Sequence, residues 1–193
     1  LVVAALLHDF GRLVVEDAGL ESSKLVALRN LLGDILPRGH RVLIFSQFTR
    51  HLALVRESLE AEGRDYLYLD GGTPAGERGE LVASFQQGAA QIFLISLKAG
   101  GTGLNLTAAD YVVHLDPWWN PAAEAQASDR AHRIGQQRPV TVVKLIAQQT
   151  IEEKVLALHA HKRALASDLL AGRSRPENLD MATLEGLLVG PPS

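Results

Sequence analysis

Short apolar stretches rich in β-branched residues alternate along this chain with longer segments in which apolar residues recur at helical spacing. The apolar stretches predict buried β-strands at residues 41–46, 65–70, 91–96, 111–115 and 140–146. The helical pattern predicts helices at residues 24–36, 51–62, 76–87, 121–134 and 150–170, with a short apolar helix at 181–188. This alternation predicts an α/β fold, in which helices cover both faces of a parallel sheet.

Individual residues mark where the later helices begin. Pro121 suits the first position of a helix, where its missing N–H is not needed. Thr150, with Glu153 three residues later, predicts a capped start for the long helix. The Arg-, Ser- and Pro-rich stretch that ends at Pro176 predicts a linker to the short terminal helix. Because ligands bind at the carboxyl ends of parallel strands, the loops that follow the strands are the expected places for chemistry.

The composition is that of an ordinary globular protein, with 47% hydrophobic and 21% charged residues among 193. There is no cysteine, which excludes disulfides and thiolate metal sites. The apolar run Leu1–Leu7 is too short to span a bilayer and lacks the basic start of a signal peptide, so we expect a cytosolic protein. Because the first residue is not Met, we also expect a piece of a longer polypeptide.

The net charge of -3 conceals an uneven distribution. Residues 1–125 carry 10 basic and 15 acidic side chains, whereas residues 126–175 carry 9 basic and 4 acidic ones. A basic segment in an acidic protein can bind a polyanion, but such segments are more often solvated helix faces. Charge therefore permits a nucleic-acid partner without requiring one.

The loop after the third predicted strand, Ser96–Leu106, contains three glycines, a threonine and a lysine. Glycines at a strand end let backbone N–H groups approach a phosphate, although a tight turn has the same residues. The loop lacks the third glycine of a dinucleotide fingerprint, and no Gly-Lys-Ser/Thr of a Walker A loop occurs anywhere in the chain. Signatures of a serine-hydrolase elbow or a zinc-protease helix are also absent, so we find no self-sufficient catalytic set.

Arg130 and Arg133 are three residues apart in the helix predicted at 121–134, so their guanidinium groups can project from one face. Two planar cationic groups side by side suit a triphosphate and the charge that develops on a transferring phosphoryl group. An isolated pair of this kind more often lies at the solvated C-terminal end of a helix, where positive charges interact favourably with the helix dipole.

Five segments, in order and at matching spacing, resemble the Swi/Snf-type DNA-dependent ATPase motors of helicase superfamily two. They are Arg41–Thr49 (motif IV), Leu69–Thr73 followed by Arg78, Lys98–Asp110 (motif V), Asp116–Pro121 with its Asp-Pro-Trp-Trp-Asn-Pro, and Gln126–Gln136 (motif VI). Ser23-Lys-Leu and Thr150-Ile-Glu-Glu-Lys extend the resemblance, which covers residues 22–190. Several long matches in register are far more specific than any single glycine pattern.

The resemblance implies the second, C-terminal lobe of such a motor: a RecA-like three-layer αβα fold with a central parallel sheet and a C-terminal helical extension. We expect this lobe at residues 22–148, followed at 149–193 by a long brace helix, a linker and a short terminal helix. The brace would carry Lys154, Lys162 and Arg163 towards the first lobe, or else be a plain surface helix. Residues 1–21 match the family poorly, because they lack its Cys-x-His-Pro stretch.

The resemblance also implies roles for particular residues. Arg130 and Arg133 would be arginine fingers acting on ATP, whose magnesium and phosphates are held mainly by the absent first lobe; this lobe would supply no metal ligand. The ATP cleft and its coupling to DNA would involve Gly101, Thr102, Gly103, Gln126 and Asp129. The DNA backbone would be contacted by Ser46, Gln47, Arg50, Gly72, Thr73, Arg78, Lys98 and Trp119. Arg50 and Arg78 can equally be solubilising residues, and Trp119 or its neighbour Trp118 can be core.

The implied activity is ATP-dependent translocation on double-stranded DNA that remodels protein–DNA complexes, with the isolated lobe inactive. The implied partners are the double-stranded DNA backbone, the first RecA-like lobe of the same polypeptide and a DNA-bound target protein, with no membrane. Short insertions and compact loops favour a prokaryotic, cytoplasmic, nucleoid-associated location over a nuclear one. The alternatives are a strand-separating DNA or RNA helicase and a scaffold that has lost its chemistry.

Overall fold

The computed structural model describes residues 2–8, 23–100, 104–118, 120–131, 136, 138–148 and 150–157. Within these residues, six strands form one sheet in the order β1-β6-β5-β2-β4-β3, and every neighbouring pair is parallel. The strands are β1 (Val2–His8), β2 (Val42–Ser46), β3 (Tyr66–Leu69), β4 (Ile92–Ser96), β5 (Tyr111–His114) and β6 (Thr141–Gln148).

Helices connect consecutive strands, as a parallel sheet requires. They are α1 (Ser23–Ile35), a 3-10 turn (Leu36–Arg38), α2 (Thr49–Ala61), α3 (Ala75–Gln87), α4 (Leu97–Gly100) and α5 (Pro121–Ser128). Residues 151–157 are also helical. None of the helices described here is long and apolar enough to cross a membrane.

Two apolar clusters lie on opposite faces of the sheet. Strand β2 shows why: Val42 and Ile44 face one cluster, with α1 and α2, whereas Leu43 and Phe45 face the other, with α3, α4 and α5. Successive side chains of a strand point to opposite faces, so an unbroken apolar run is what a doubly covered strand needs. The three-layer αβα architecture predicted from the sequence is confirmed.

The chain crosses β2 when it passes from β4 to β5, so β2 has β4 on one side and β5 on the other. In open α/β sheets, the crevice beside the carboxyl ends at such a reversal is where ligands bind. The ends of β2, β4 and β5 therefore form the edge of the sheet where a ligand is expected to bind.

Candidate functional site

The carboxylate of Asp116, two residues beyond β5, organises the end of β2. It accepts hydrogen bonds from the Ser46 hydroxyl at 2.7 Å and the Gln47 backbone N–H at 2.8 Å, and the Nδ1 of His51 lies 3.3 Å away. Asp116 is only 2% exposed, so these partners replace water around a buried charge. We call these four residues the Asp116 cluster.

Ser46, a predicted DNA contact, is 0% exposed, and its Oγ accepts the Phe48 N–H at 3.0 Å while it donates to Asp116. It has no free surface for a ligand and serves to shape the loop. Gln47 is half-buried and its side-chain amide donates to the carbonyl of Pro117 at 3.2 Å. Arg50, on the first turn of α2, is exposed.

Gly72 and Thr73, also predicted to contact DNA, lie in one compact turn after β3, and the predicted contact Arg78 lies on α3 and binds this turn. Asp70 accepts the Gly72 N–H at 2.8 Å, and the Thr73 hydroxyl accepts the Asp70 N–H at 3.0 Å. The guanidinium of Arg78 donates to the carbonyls of Thr73 at 2.9 Å and Gly71 at 3.4 Å. Arg78 thus braces the turn, and Gly72 is exposed at its tip.

At the end of β4, the short helix α4 begins directly and carries the exposed Lys98. The N–H of Ala99 donates to the Ser96 hydroxyl at 3.4 Å, and α4 packs against α5. The predicted cradle residues Gly101, Thr102 and Gly103 lie outside the described residues, and so do Trp119 and Arg133.

Two glutamine side chains hold the loop that leads from this cradle to β5. Gln86 of α3 donates to the Asn105 carbonyl at 3.2 Å and the Thr107 hydroxyl at 3.1 Å, and accepts the Ala108 N–H at 2.7 Å. The side-chain amide of Gln136 donates to three carbonyls, those of Thr107, Ala109 and Ala131, at 3.1, 2.7 and 3.1 Å. We call Gln86 and Gln136 the amide clamp.

The predicted catalytic residue Arg130 is joined to the same loop, because its carbonyl accepts the Leu106 N–H at 3.0 Å. Arg130 is only 2% exposed in this lobe. Gln126 and Asp129, predicted to take part in the ATP cleft and its coupling to DNA, are both exposed. The motif V and motif VI segments are therefore bonded to each other through Leu106 and Gln136.

Beneath α5, a buried polar network ties the helix to the sheet. His114 at the end of β5 has its Nε2 2.9 Å from the Ser128 hydroxyl, and burial lowers the pKa of His114 to about 4. Glu124 forms an ion pair with Lys144 of β6 and accepts the Trp118 N–H at 3.2 Å. Burial, the largest single effect, would raise the pKa of Glu124, but the hydrogen bond from Lys144, the nearby positive charge and the Trp118 N–H together outweigh it, so that pKa is lowered.

Helix α5 begins where the sequence predicts, since Pro121 is its first residue and the Asn120 side chain accepts the Ala122 N–H at 3.1 Å. It ends at Ser128, earlier than predicted, because the residues that follow turn back to bond the loop at Leu106. The buried Asp116 and His114 and the half-buried Gln86 were not predicted as site residues, and neither were Lys24 and Glu152, which form an ion pair. Asp116, Lys24 and Glu152 do lie inside the segments that carry the family resemblance, which was the available signal.

No group of three or more His, Asp or Glu side chains suited to a metal ion occurs in the part of the chain that the structure describes. The cations on the described surface near the candidate edge, Arg50 and Lys98, suit phosphate oxygens rather than a metal.

A family model, the helicase conserved C-terminal domain, matches residues 23–135 and thus spans the motifs just described. The chain belongs to the helicase C-terminal domain family. The lobe is 42% identical over 171 residues to the human chromatin-remodeling ATPase INO80, and 45% identical over 145 residues to protein CHROMATIN REMODELING 24 of Arabidopsis thaliana. These matches cover 88% and 75% of this chain but only 11% and 13% of the relatives, so the chain spans about a tenth of their length.

A crystal structure of the C-terminal part of the Fun30 ATPase domain has a similar fold, with a TM-score of 0.70 and 39% identity. The match covers 75% of this chain and 48% of that one. The sequence-based resemblance to the C-terminal lobe of Swi/Snf-type motors is thus confirmed. The expected prokaryotic, cytoplasmic location is wrong, because these relatives are chromatin-remodelling ATPases of eukaryotes, whose chromatin lies in the nucleus.

Proposed function

We propose that this lobe is half of an ATP-dependent motor that translocates on double-stranded DNA and remodels protein–DNA complexes. The first RecA-like lobe of the same polypeptide supplies the Walker A lysine and the magnesium ligands. This lobe supplies Arg130 and Arg133 as arginine fingers, and Gln47, Arg50, Gly72, Thr73, Arg78, Lys98 and Trp119 as contacts to the DNA backbone. Gly101, Thr102 and Gly103, with Gln126 and Asp129, couple the ATP cleft to the DNA path.

The observation that carries the proposal is the bonded connection between the loop after β4 and the segment of Arg130. Leu106 N–H donates to the Arg130 carbonyl at 3.0 Å, and Gln136 binds carbonyls on both sides of this junction. A segment that touches DNA and a segment that touches ATP must move together if DNA is to stimulate hydrolysis. Contacts to phosphate suit a motor that tracks along DNA, because they carry no sequence information.

Burial of Arg130 adds a requirement to the proposal. With only 2% of its surface exposed, its guanidinium must be uncovered, or met directly by the other lobe, when the two lobes close on ATP. A preformed, water-excluded position strengthens the action of a cation on a transferring phosphoryl group.

The test replaces Arg130 by Ala in the full-length protein. We expect the DNA-stimulated ATPase rate to fall by about three to five orders of magnitude, which is what an arginine finger contributes. Binding of a fluorescent ATP analogue should change little, because the first lobe holds most of the nucleotide. The isolated chain, assayed beside it, should hydrolyse no ATP.

Arg138→Ala is the matched control. Arg138 lies two residues beyond the motif VI segment, is 63% exposed at its side chain and binds Asp110 at 3.2 Å. It should retain most of the DNA-stimulated rate. Normal turnover by Arg130→Ala would refute the finger role. If Arg130→Ala does not fold, Arg130→Lys, which keeps the charge without the planar fork, should still lose at least about tenfold.

A further inference from the structure

The buried amino group of Lys24 joins three parts of the lobe that are far apart in sequence. Its Nζ donates to the Leu115 carbonyl beyond β5 at 2.7 Å and to both carboxylate oxygens of Glu152 at 2.6 Å. The Lys24 side chain is 0% exposed and that of Glu152 15% exposed. Because desolvation offsets most of the attraction in a buried ion pair, stability alone is a weak reason for this arrangement.

On one side, the ion pair holds the start of the helix at 151–157. Glu152 Oε2 accepts the Ala147 N–H of β6 at 2.9 Å, and the Glu152 N–H donates to the Thr150 hydroxyl at 3.2 Å. That hydroxyl donates to the Ala147 carbonyl at 2.8 Å. The first turn of the helix is therefore fixed to the sheet through the same carboxylate that Lys24 binds.

On the other side, Lys24 holds the peptide group immediately before the Asp116 cluster. The Leu115 N–H donates to the Phe45 carbonyl at 2.9 Å. Leu115 is therefore bonded to β2 through its N–H and to Lys24 through its carbonyl. The adjacent Asp116 carboxylate fixes Ser46 and Gln47. A displacement of Lys24 would therefore move the peptide group between Leu115 and Asp116, and with it the loop that carries Gln47.

We propose that Lys24 and Glu152 are positioning residues that connect the helix at 151–157 to the Gln47 loop. A movement of this helix then changes how tightly the loop binds DNA phosphates. The inference rests on the proposed function, because only that assigns Gln47 to DNA. Neither residue touches DNA or ATP. Both act through Leu115 and Asp116.

The test variant in the full-length protein is Lys24→Met combined with Glu152→Gln. Methionine fills a similar volume without charge, and glutamine keeps an oxygen to accept the Ala147 N–H. Removing both partners avoids leaving one charge buried alone, so the melting temperature should lie closer to wild type than that of Lys24→Met by itself. The DNA concentration for half-maximal ATPase stimulation should nevertheless rise about tenfold, since a contact displaced by about 1 Å can lose that much or more. The DNA-independent rate should be unchanged.

Leu32→Ala is the control for lost stability. Leu32 lies on the same helix, α1, and is 1% exposed, and its apolar side chain forms no hydrogen bond or ion pair with Lys24, Glu152 or Asp116. It should lower the melting temperature without raising the half-maximal DNA concentration. If the double variant keeps the wild-type DNA dependence, or if Leu32→Ala loses it equally, the positioning role is refuted. If the double variant does not fold, Lys24→Gln combined with Glu152→Gln also removes both charges, keeps polar groups that can hydrogen-bond, and should raise the half-maximal DNA concentration in the same direction.

Hydrogen exchange separates this inference from the proposed function. The Gln47 N–H, which is bonded to Asp116, should exchange faster in the double variant than in Leu32→Ala, with or without DNA. If the wild-type protein shows no DNA-stimulated ATPase, the proposed function fails, and faster exchange at Gln47 still supports the mechanical connection. Unchanged exchange at Gln47 overturns the connection, whatever the ATPase assay shows.

Discussion

Among single side chains, His114 is the clearest case of burial deciding a protonation state. It is 1% exposed, stacks on Phe45 with ring centroids 5.6 Å apart and has its Nε2 beside the Ser128 hydroxyl. Its Nδ1 has no hydrogen-bond partner among the described residues. A protonated imidazole in this position would lack a partner for its second N–H, which agrees with the lowered pKa.

This lowered pKa predicts acid sensitivity of the lobe. Burial holds the pKa of His114 at about 4, against 6.5 in the unfolded chain, so below pH 6.5 the unfolded state binds the proton first and folding weakens. By pH 5.5 the loss from this group should be about 1 kcal/mol in the free energy of unfolding. Urea unfolding of wild type and His114→Phe at pH 7.5 and 5.5 measures it.

The variant should lose less stability than wild type over this pH range. Leu32→Ala, a core change without a titrating group, should lower the free energy of unfolding equally at both pH values. If wild type and His114→Phe show the same pH dependence, His114 is not the group responsible.

The Asp116 cluster shows what a single sequence cannot reveal at this scale. Ser46 carries a polar side chain at a strand end, so the family pattern assigns it to DNA, yet its partner Asp116 is 70 residues away in the chain. Lys24 and Glu152 are 128 residues apart. Such pairings depend on sheet order, which sets the neighbours of β5 and β2, and local periodicity contains no information about it.

At the level of elements, strands β2 to β6 lie within about two residues of their predicted bounds, because runs such as Val42–Phe45 are apolar enough to be buried on both faces. The four residues of α4 are too few for a helical period to be visible in the sequence. The sequence shows β1 only as an apolar run, because one short run does not distinguish a strand from a buried helix segment.

The amide clamp connects three elements and can be tested on one of them. Gln86 and Gln87 are neighbours at the end of α3, but only Gln86 binds the loop at 105–108, and Gln87 is exposed. Gln86→Ala leaves the Ala108 N–H without its acceptor and should cost about 1–3 kcal/mol in the free energy of unfolding. Gln87→Ala should stay within about 0.5 kcal/mol of wild type.

The clamp should also matter for turnover, because it holds the loop to which the Arg130 segment is bonded. In the full-length protein, Gln86→Ala should reduce the stimulation of ATPase activity by DNA more than Gln87→Ala does. Chemical denaturation and ATPase titrations with DNA check both effects. Equal behaviour of the two variants would show that the clamp does not constrain the loop.

For the whole molecule, the proposed division of labour between two lobes would account for a chain that holds arginines but no phosphate-binding lysine motif. Residues 126–175 carry most of the excess positive charge, 9 basic against 4 acidic side chains, whereas residues 1–125 are net acidic. In the proposed two-lobe motor, the ATPase would stay switched off until both lobes close, because the cations of each lobe would act only together.

The proposed two-lobe motor also predicts translocation on intact duplex DNA without separation of the strands. The exposed Arg50 and Lys98 and the half-buried Gln47 suit backbone phosphates, whereas separating strands requires platforms on which unpaired bases stack. The full-length protein with ATP should therefore displace the third strand of a DNA triplex but leave a forked duplex paired.

Phe48, exposed by 55% beside Gln47, is the described side chain best placed to act as a platform on which an unpaired base stacks. If the protein does unwind the fork, and Phe48→Ala abolishes unwinding while triplex displacement persists, the strand-separating alternative is correct and the phosphate-tracking mechanism is not sufficient.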